Sequence, residues 1–424
     1  MDSIRLAFKL GLLSDEDSFL YHPIKMLNTH LMVIPTGREC GSFVALDLGG
    51  TNLRIHAISI VDGKLSPDSR AFKVPQSIQT GTGEKLFDYL AARIDEGLVE
   101  LGFKNVDVEF MGFTFSFPCH QNSLNSGELI RWTKGYTATG VENRDIVAML
   151  RDACFRKSLK IRDFVLINDT TGTLLSGAFE SPDCVIGVIV GTGTNACYLE
   201  KIMEVKKYKG PSTHEFVVIN TEWGSFGENG ELNSYSTDFD SLVDQESINP
   251  GCQKFEKMIS GMYVGNIVRH VIINASDNGL IFNGKMPDDM KKQNSFPSFL
   301  TSDVYTKEVF IQKFKQIFNY ELSDDEYSIL FNICDSVIQR AAALCGAGLS
   351  ALILRMNRRY SRIAADGSMF VDHAMFKKYV KQYMRKILPT HMAFKIVTVK
   401  DGSGKGAALA ACVVKEYLRT NQHQ

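Results

Sequence analysis

The sequence predicts an α/β protein of two related lobes around a cleft, and two observations carry that expectation. The first is a pair of similar segments far apart in the chain. The apolar run Phe43-Val44-Ala45-Leu46 enters Asp47-Leu48-Gly49-Gly50-Thr51-Asn52 and continues as the alternating Leu53-Arg54-Ile55-His56-Ala57. Val185 to Val190 does the same through Gly191-Thr192-Gly193-Thr194-Asn195 and continues as Ala196-Cys197-Tyr198-Leu199. Both read as buried strand, Gly-rich hairpin, strand. The second observation is that helix-period patterns separate and follow these hairpins, and strands alternating with helices make an α/β fold.

In chain order, Met1 to Leu13 is mildly amphipathic, but Lys9 interrupts it and Asp15-Glu16-Asp17 follows, so a secretory signal is not expected. After the first hairpin, residues 145–157 read as an amphipathic helix. The apolar stretch Phe164 to Ile167 is a strand running into Asn168-Asp169. Beyond the second hairpin, the polar residues 278–302 are expected to be a mobile or irregular surface segment. Ser323-Asp324-Asp325-Glu326 has capping-box spacing, and Leu330, Ile333, Val337, Ala341 and Leu344 then mark one buried helical face. Near the end, residues 401–406 read as a Gly-rich loop opening into a helix at Ala407.

Composition narrows the class. With 424 residues, 44% hydrophobic and 22% charged, the chain has ample apolar material for two or more folded lobes. Its 47 Lys+Arg balance 48 Asp+Glu, which leaves no basic footprint for nucleic acid or an anionic membrane. No stretch reads as a membrane span. The nine cysteines are scattered and never spaced CxxC, so neither a disulfide framework nor a zinc site is expected, and reduced thiols in the cytoplasm are.

Three Gly/Thr/Ser loops, at residues 47–52, 191–195 and 402–406, are candidate phosphate cradles. Glycine lets backbone N–H groups approach an anion, with hydroxyls alongside. None fits GxxxxGK[ST] or GxGxxG, which disfavours P-loop and dinucleotide-binding folds. Polar residues framed by apolar strands form a second set: Thr114-Phe115-Ser116-Phe117-Pro118, Trp132-Thr133-Lys134-Gly135 and Asn168-Asp169-Thr170. Asp169 at a strand's carboxyl end suits a proton acceptor, and the pair Asn168-Asp169 equally suits a helix cap. Asn220-Thr221-Glu222-Trp223-Gly224 and Glu256 supply further acceptors, although Glu256 taken alone reads more readily as a solvated helix residue. The tryptophans Trp132 and Trp223 both lie inside these segments, where sugar-facing planes and core packing are the rival readings.

Taken in order, these motifs resemble the eukaryotic-type hexokinase family of the sugar kinase, Hsp70 and actin superfamily, over nearly the whole chain. The resemblance implies a two-lobed actin-like ATPase fold (ribonuclease H-like), with an active-site cleft between a small and a large lobe. It implies an N-terminal half over residues 1–170, with the small lobe from about 37 and an N-terminal helical segment packing on the large lobe. The C-terminal half, 171–424, holds the large lobe, and a final helix at about 404–419 returns to the small one. The implied reaction moves the γ-phosphate of ATP to a hexose 6-hydroxyl, glucose foremost, with Asp169 as base and Lys134 lending charge. Ser116, Thr133, Lys134, Asn168, Asp169, Asn195, Glu222 and Glu256 would hold the sugar. Asp47, Gly49, Gly50, Thr51, Asn52, Arg54, Thr192, Gly193, Gly402, Ser403, Gly404 and Lys405 would face ATP. Mg2+ would be held by ATP and water near Asp47 and Asp169, with no direct protein ligand. Gly346-Ala347-Gly348-Leu349 resembles an element on the adenosine side. Leu53, Asn28 and Asn266 depart from the family pattern beside these motifs, which bears on fine specificity. An N-acetylglucosamine kinase, a weakly catalytic sugar sensor and an actin-like ATPase are the alternatives.

Overall fold

The computed structural model describes residues 1–13, 22, 24–50, 52–210 and 214–421. Thr51, expected in the first phosphate loop, lies outside the described residues. Thirteen strands follow in order: β1 (Leu27–Asn28), β2 (Gly41–Leu48), β3 (Asn52–Val61), β4 (Lys64–Lys73), β5 (Val108–Phe115), β6 (Cys119–Ser123) and β7 (Ser126–Leu129), then β8 (Ile161–Ile167), β9 (Cys184–Val190), β10 (Thr194–Lys201), β11 (Phe216–Asn220), β12 (Tyr360–Asp366) and β13 (Ala393–Thr398). They form two main sheets, ordered β4-β3-β2-β5-β8 and β1-β11-β10-β9-β12-β13, with β6 and β7 as a separate hairpin.

The doubling suggested by the two hairpins extends through both sheets. In the smaller sheet β2, β3 and β4 form an antiparallel meander, and β5 and β8 add in parallel beside β2. In the larger sheet β9, β10 and β11 form the same meander, and β12 and β13 add in parallel beside β9. Numbered within each unit, both sheets read 3-2-1-4-5, with β1 appended at the larger sheet's edge.

Alternation along β2 explains how one strand serves two cores. Val44, Leu46 and Leu48 face the small-lobe cluster with Phe87, Phe113 and Phe164, while Phe43 and Ala45 face the main cluster. Because successive side chains point to opposite faces, a strand covered on both sides reads as an unbroken apolar run. The second cover is the final helix, Gly402–Asn421, which packs on β2 and β5 and crosses the helix Asp169–Glu180. That helix, buried from Thr170 to Phe179, lies in turn on β9. The layers therefore run small sheet, final helix, helix Asp169–Glu180, large sheet. The N-terminal helix, Asp2–Leu10, buries Ile4, Ala7 and Phe8 in the large-lobe core.

The helix signals read from sequence have physical counterparts. The carboxylate of Asp145 accepts from the N–H groups of Val147 (2.9 Å) and Ala148 (3.2 Å), starting the helix Ile146–Arg156. Ser323 and Glu326 exchange capping hydrogen bonds at the start of a 33-residue helix, Asp324–Met356. Each such cap is worth about 1 kcal/mol.

Three expectations need correction. The final helix begins at Gly402, so residues 402–406 are its first turns rather than a loop. Their glycines serve close packing: a Cβ on Gly406 would sit 1.9 Å from the carbonyl oxygen of Gly172. Residues 278–302 are irregular but anchored, because Ile281, Phe282, Met290, Phe296 and Leu300 are buried in the core. Finally, the helix Asp324–Met356 is long and apolar enough to span a membrane by length and composition, contrary to the expectation that no segment would be. Most of its apolar surface is buried against the rest of the large lobe, so the apolarity is that of a core helix.

Candidate active site

The parallel strands of both sheets end at one cleft. β2 delivers Asp47, Ser116 follows β5, and Asn168-Asp169 follows β8. From the larger sheet, Gly191 follows β9, and the β13 exit leads through Asp401 to the final helix. Ligands collect at such strand ends because backbone groups and helix N-termini converge there.

The helix-cap reading of Asn168-Asp169 holds at the level of geometry. The Asn168 side chain caps the helix, with Oδ1 accepting from the N–H of Thr170 (3.0 Å) and its hydroxyl (2.8 Å). The cap leaves Asp169 as the first helical residue, part-exposed at the cleft.

Asn195 ties the hinge, meaning here the junction of β8 and the helix Asp169–Glu180 at Asn168, to the large-lobe wall. Its Nδ2 donates to Asn220 Oδ1 (2.7 Å), Glu222 Oε1 (3.2 Å) and Asn168 Oδ1 (3.4 Å). Its Oδ1 accepts from the Glu222 N–H (3.1 Å). Asn220 Nδ2 donates to the same Glu222 oxygen (2.8 Å), which leaves the other carboxylate oxygen free of these bonds. Glu222 is held at φ 53, a left-handed conformation that a non-glycine residue adopts only when its surroundings fix it. Burial raises its pKa; the Asn220 bond and the charges of Lys134 and Arg131 oppose this, and Asp169 adds to it.

Glu256 is placed by the second hairpin. Its Oε2 accepts from the Thr194 N–H (2.8 Å), and a Cβ on Gly193 would come within 2.4 Å of that oxygen. Burial lifts its pKa to about 7, against the Thr194 bond and Lys134. The reading of Glu256 as a solvated helix residue is thereby replaced.

On the small-lobe side, Lys134 (φ 55) donates from Nζ to the Ser116 carbonyl (2.7 Å) and lies 5.6 Å from the Phe117 ring centroid. Thr133 precedes it, part-buried, and accepts through its carbonyl from the Tyr136 N–H (3.1 Å). Lys134 also stacks against the first glycine loop, since a Cβ on Gly50 would lie 3.5 Å from its side chain.

Asp47 ties β2 to the final helix. Buried at the end of β2, it accepts from the Ser403 hydroxyl (2.9 Å). Burial lifts its pKa to about 6; the Ser403 bond opposes this, while the neighbouring charges of Asp169 and Asp401 add to it. The charge of Arg54 also opposes the rise, and the carboxylate oxygens fit a hard cation held through water. Asn52 and Thr192 are exposed at the two hairpin turns, with Gly49 closing the first by a bond to the Asn52 carbonyl (3.0 Å). Arg54 is exposed 3.5 Å from Asp401.

Not every anticipated residue faces this space. Gly404 lies against the His56 ring, and Lys405 donates to the Lys400 carbonyl (2.8 Å). The Gly402 N–H donates to Asp366 (2.9 Å). Gly348 packs against Trp223 and Gly346 against the Val380 carbonyl, so these two glycines serve helix packing. Trp223 is fully buried, its Nε1 donating to Thr194 Oγ1 (3.2 Å), and Trp132 stacks on Tyr136. Both tryptophans thus support the walls from behind. Asn220, Thr194, Asp366 and Asp401 were not singled out as site residues. Asn220 stood inside a quoted motif, but a lone polar residue at a strand end carries no signal of its own.

Comparisons with known proteins agree over almost the whole chain. Two hexokinase family profiles match in succession, at residues 2–179 and 185–413. Hexokinase-2 of Homo sapiens is 39% identical over 410 residues, covering 93% of this chain and 44% of that protein. Hexokinase-1 of Rattus norvegicus is 38% identical over 423 residues, 97% of this chain and 45% of that one. The chain therefore spans less than half the length of these curated relatives. Among solved structures, a hexokinase from Schistosoma mansoni complexed with glucose superposes with a TM-score of 0.89 at 35% identity, covering 97% of this chain and 94% of the other.

Proposed function

The chain belongs to the hexokinase family, and from that premise we propose that it transfers the γ-phosphate of ATP to the 6-hydroxyl of a hexose, glucose foremost. The observation that carries the reading is the Asn195 network. It binds the hinge residue Asn168 to Glu222 and Asn220, so that the large-lobe wall and Asp169 are held in fixed relation. Acceptors paired with amide donors suit a ligand whose every hydroxyl both donates and accepts.

In this mechanism Glu222, Glu256, Asn195 and Asn168 hold the sugar hydroxyls from the large lobe and hinge, and Ser116, Thr133 and Lys134 from the small lobe. The Asp169 carboxylate takes the proton from O6 as the O6–phosphorus bond forms and the bond to the ADP oxygen breaks. Phosphoryl transfer leaves little covalent work to protein groups, so positioning and charge carry most of the acceleration. Lys134 supplies one fixed positive charge. The magnesium carried with ATP supplies the remainder, and Asp47, bonded to Ser403, is the residue that would hold its water shell. Closure of the small lobe would exclude water, which competes with O6 for the phosphoryl group.

A coupled assay of ADP release with glucose, mannose, fructose, N-acetylglucosamine and no sugar tests the reading. Sugar-dependent ADP release, highest with glucose, is expected. Equal release without sugar would make the chain an ATPase; preference for N-acetylglucosamine would reassign its substrate, and no release with any sugar would reject the kinase.

Glucose affinity is expected to weaken as pH falls from about 8 to about 6. Glu256, lifted to about 7, is charged above that value and accepts from a sugar hydroxyl; protonation below it weakens that acceptor. Calorimetric titration across this range should show the decline in the native protein and a flatter profile in Glu256→Gln. An equally steep profile in the variant would place the titration on another group.

A further inference from the structure

Beside the cleft, three potential metal ligands from three segments converge, and two of them, His56 and Asp401, have no role in the chemistry above. Asp47 ends β2, His56 lies on β3, and Asp401 stands in the turn between β13 and the final helix. One ligand atom from each lies within 4.8 Å of the others. His56 is 1% exposed, yet neither ring nitrogen has a hydrogen-bond partner among the described residues. Its Nδ1 lies 3.5 Å from Asp401 Oδ2 without forming a hydrogen bond to it. A buried imidazole left unbonded costs stability unless something completes it.

The surroundings orient these groups. The Ser403 hydroxyl bonds one Asp47 oxygen. Asp401 is held at φ 56, and Arg54 lies 3.5 Å from its Oδ1, leaving Oδ2 to the histidine. The bare Cα of Gly404 makes room for the ring, since a Cβ there would lie 2.1 Å from Nε2. The Asp401 side chain is 34% exposed, which gives an ion an entry from solvent.

We propose that Asp47, His56 and Asp401 form a binding site for a borderline divalent cation of the zinc class. One imidazole with two carboxylates is a donor set such ions accept, whereas magnesium prefers oxygen ligands and retains its water. Donors ~2 Å from one tetrahedral ion stand ~3.3 Å apart, so the ligand atoms need to close by up to ~1.5 Å. The ion would join the small-lobe hairpin to the turn leaving the large sheet. It would also occupy Asp47, and so oppose magnesium-nucleotide binding; that consequence rests on the kinase reading, while the binding itself does not.

The test uses Co2+ as a visible-absorption probe on the full chain without nucleotide, followed by displacement with Zn2+. One equivalent of Co2+ should give a ligand-field spectrum that Zn2+ abolishes. His56→Leu, checked for folding by its melting temperature, should bind at least ~10-fold more weakly, the loss that even an outer-shell change brings. Asp401→Asn, at a part-exposed position tolerant of the change, should also weaken binding. No Co2+ spectrum in the native protein, or native affinity in both variants, would overturn the site. Because the readout is metal binding, a failed sugar assay and a failed metal titration remain separate results.

Discussion

Replacing Asp169 with Ala is expected to leave glucose binding within a few-fold of native and to lower turnover by ~10²–10⁴-fold, the usual contribution of a general base. The expectation follows from the division of labour at the hinge. Asn168 caps the helix and joins Asn195, whereas among the described residues the Asp169 carboxylate bonds only the N–H of its neighbour Thr170 (2.8 Å). Removing that carboxylate spares the Asn195 network, to which the proposed mechanism gives the sugar contacts of the large lobe. Calorimetric glucose affinity and single-turnover ADP formation separate the two effects. Near-native turnover would sink the base assignment; loss of glucose affinity in parallel with turnover would make Asp169 a sugar holder instead.

The second large effect is structural. Gly406→Val is expected to destabilise the chain by about 3 kcal/mol or more, at the upper end of overpacking costs. The final helix meets the helix Asp169–Glu180 backbone to backbone, with a Cβ on Gly406 falling 1.9 Å from the Gly172 carbonyl oxygen. On the other side, a Cβ on Gly112 of β5 would fall 2.0 Å from the carbonyl of Ala407. Closely packed backbones have no flexible atom to yield, so the helices must separate, and with them the lobes they cover. Urea unfolding measures the loss; an unchanged midpoint would mean that the crossing opens without cost.

The same glycines show where sequence reading stops. Gly-Ser-Gly-Lys-Gly suggests a loop because glycine is a poor helix former, yet each of these residues is helical. The propensity cost is outweighed by the close approach of Gly172, a contact 234 residues away in sequence that local pattern cannot contain. Residues 278–302 mislead in the opposite sense, since their polar composition conceals five buried apolar anchors. The hairpins and the two helix starts were legible for the complementary reason. Strand alternation, glycine turns and side-chain caps are satisfied by neighbours within a few residues.

For the site, sequence order located Asn168-Asp169 and Glu222, and left open whether they cap, pack or bind. Three-dimensional placement added the contacts that depend on distant partners. Glu256 acquires its raised pKa from burial beside the second hairpin, and Trp223 goes to the core behind Glu222. His56, one more alternating residue of β3 when read in sequence, becomes an unbonded imidazole facing Asp401. By itself, then, the sequence determined the two hairpins, the caps and the family of motifs, because those rest on short-range periodicity and hydrogen bonding. The lobe crossing, the electrostatics of the carboxylates and the His56 cluster were decided only by tertiary structure, because burial and charge proximity are properties of what the rest of the chain places nearby.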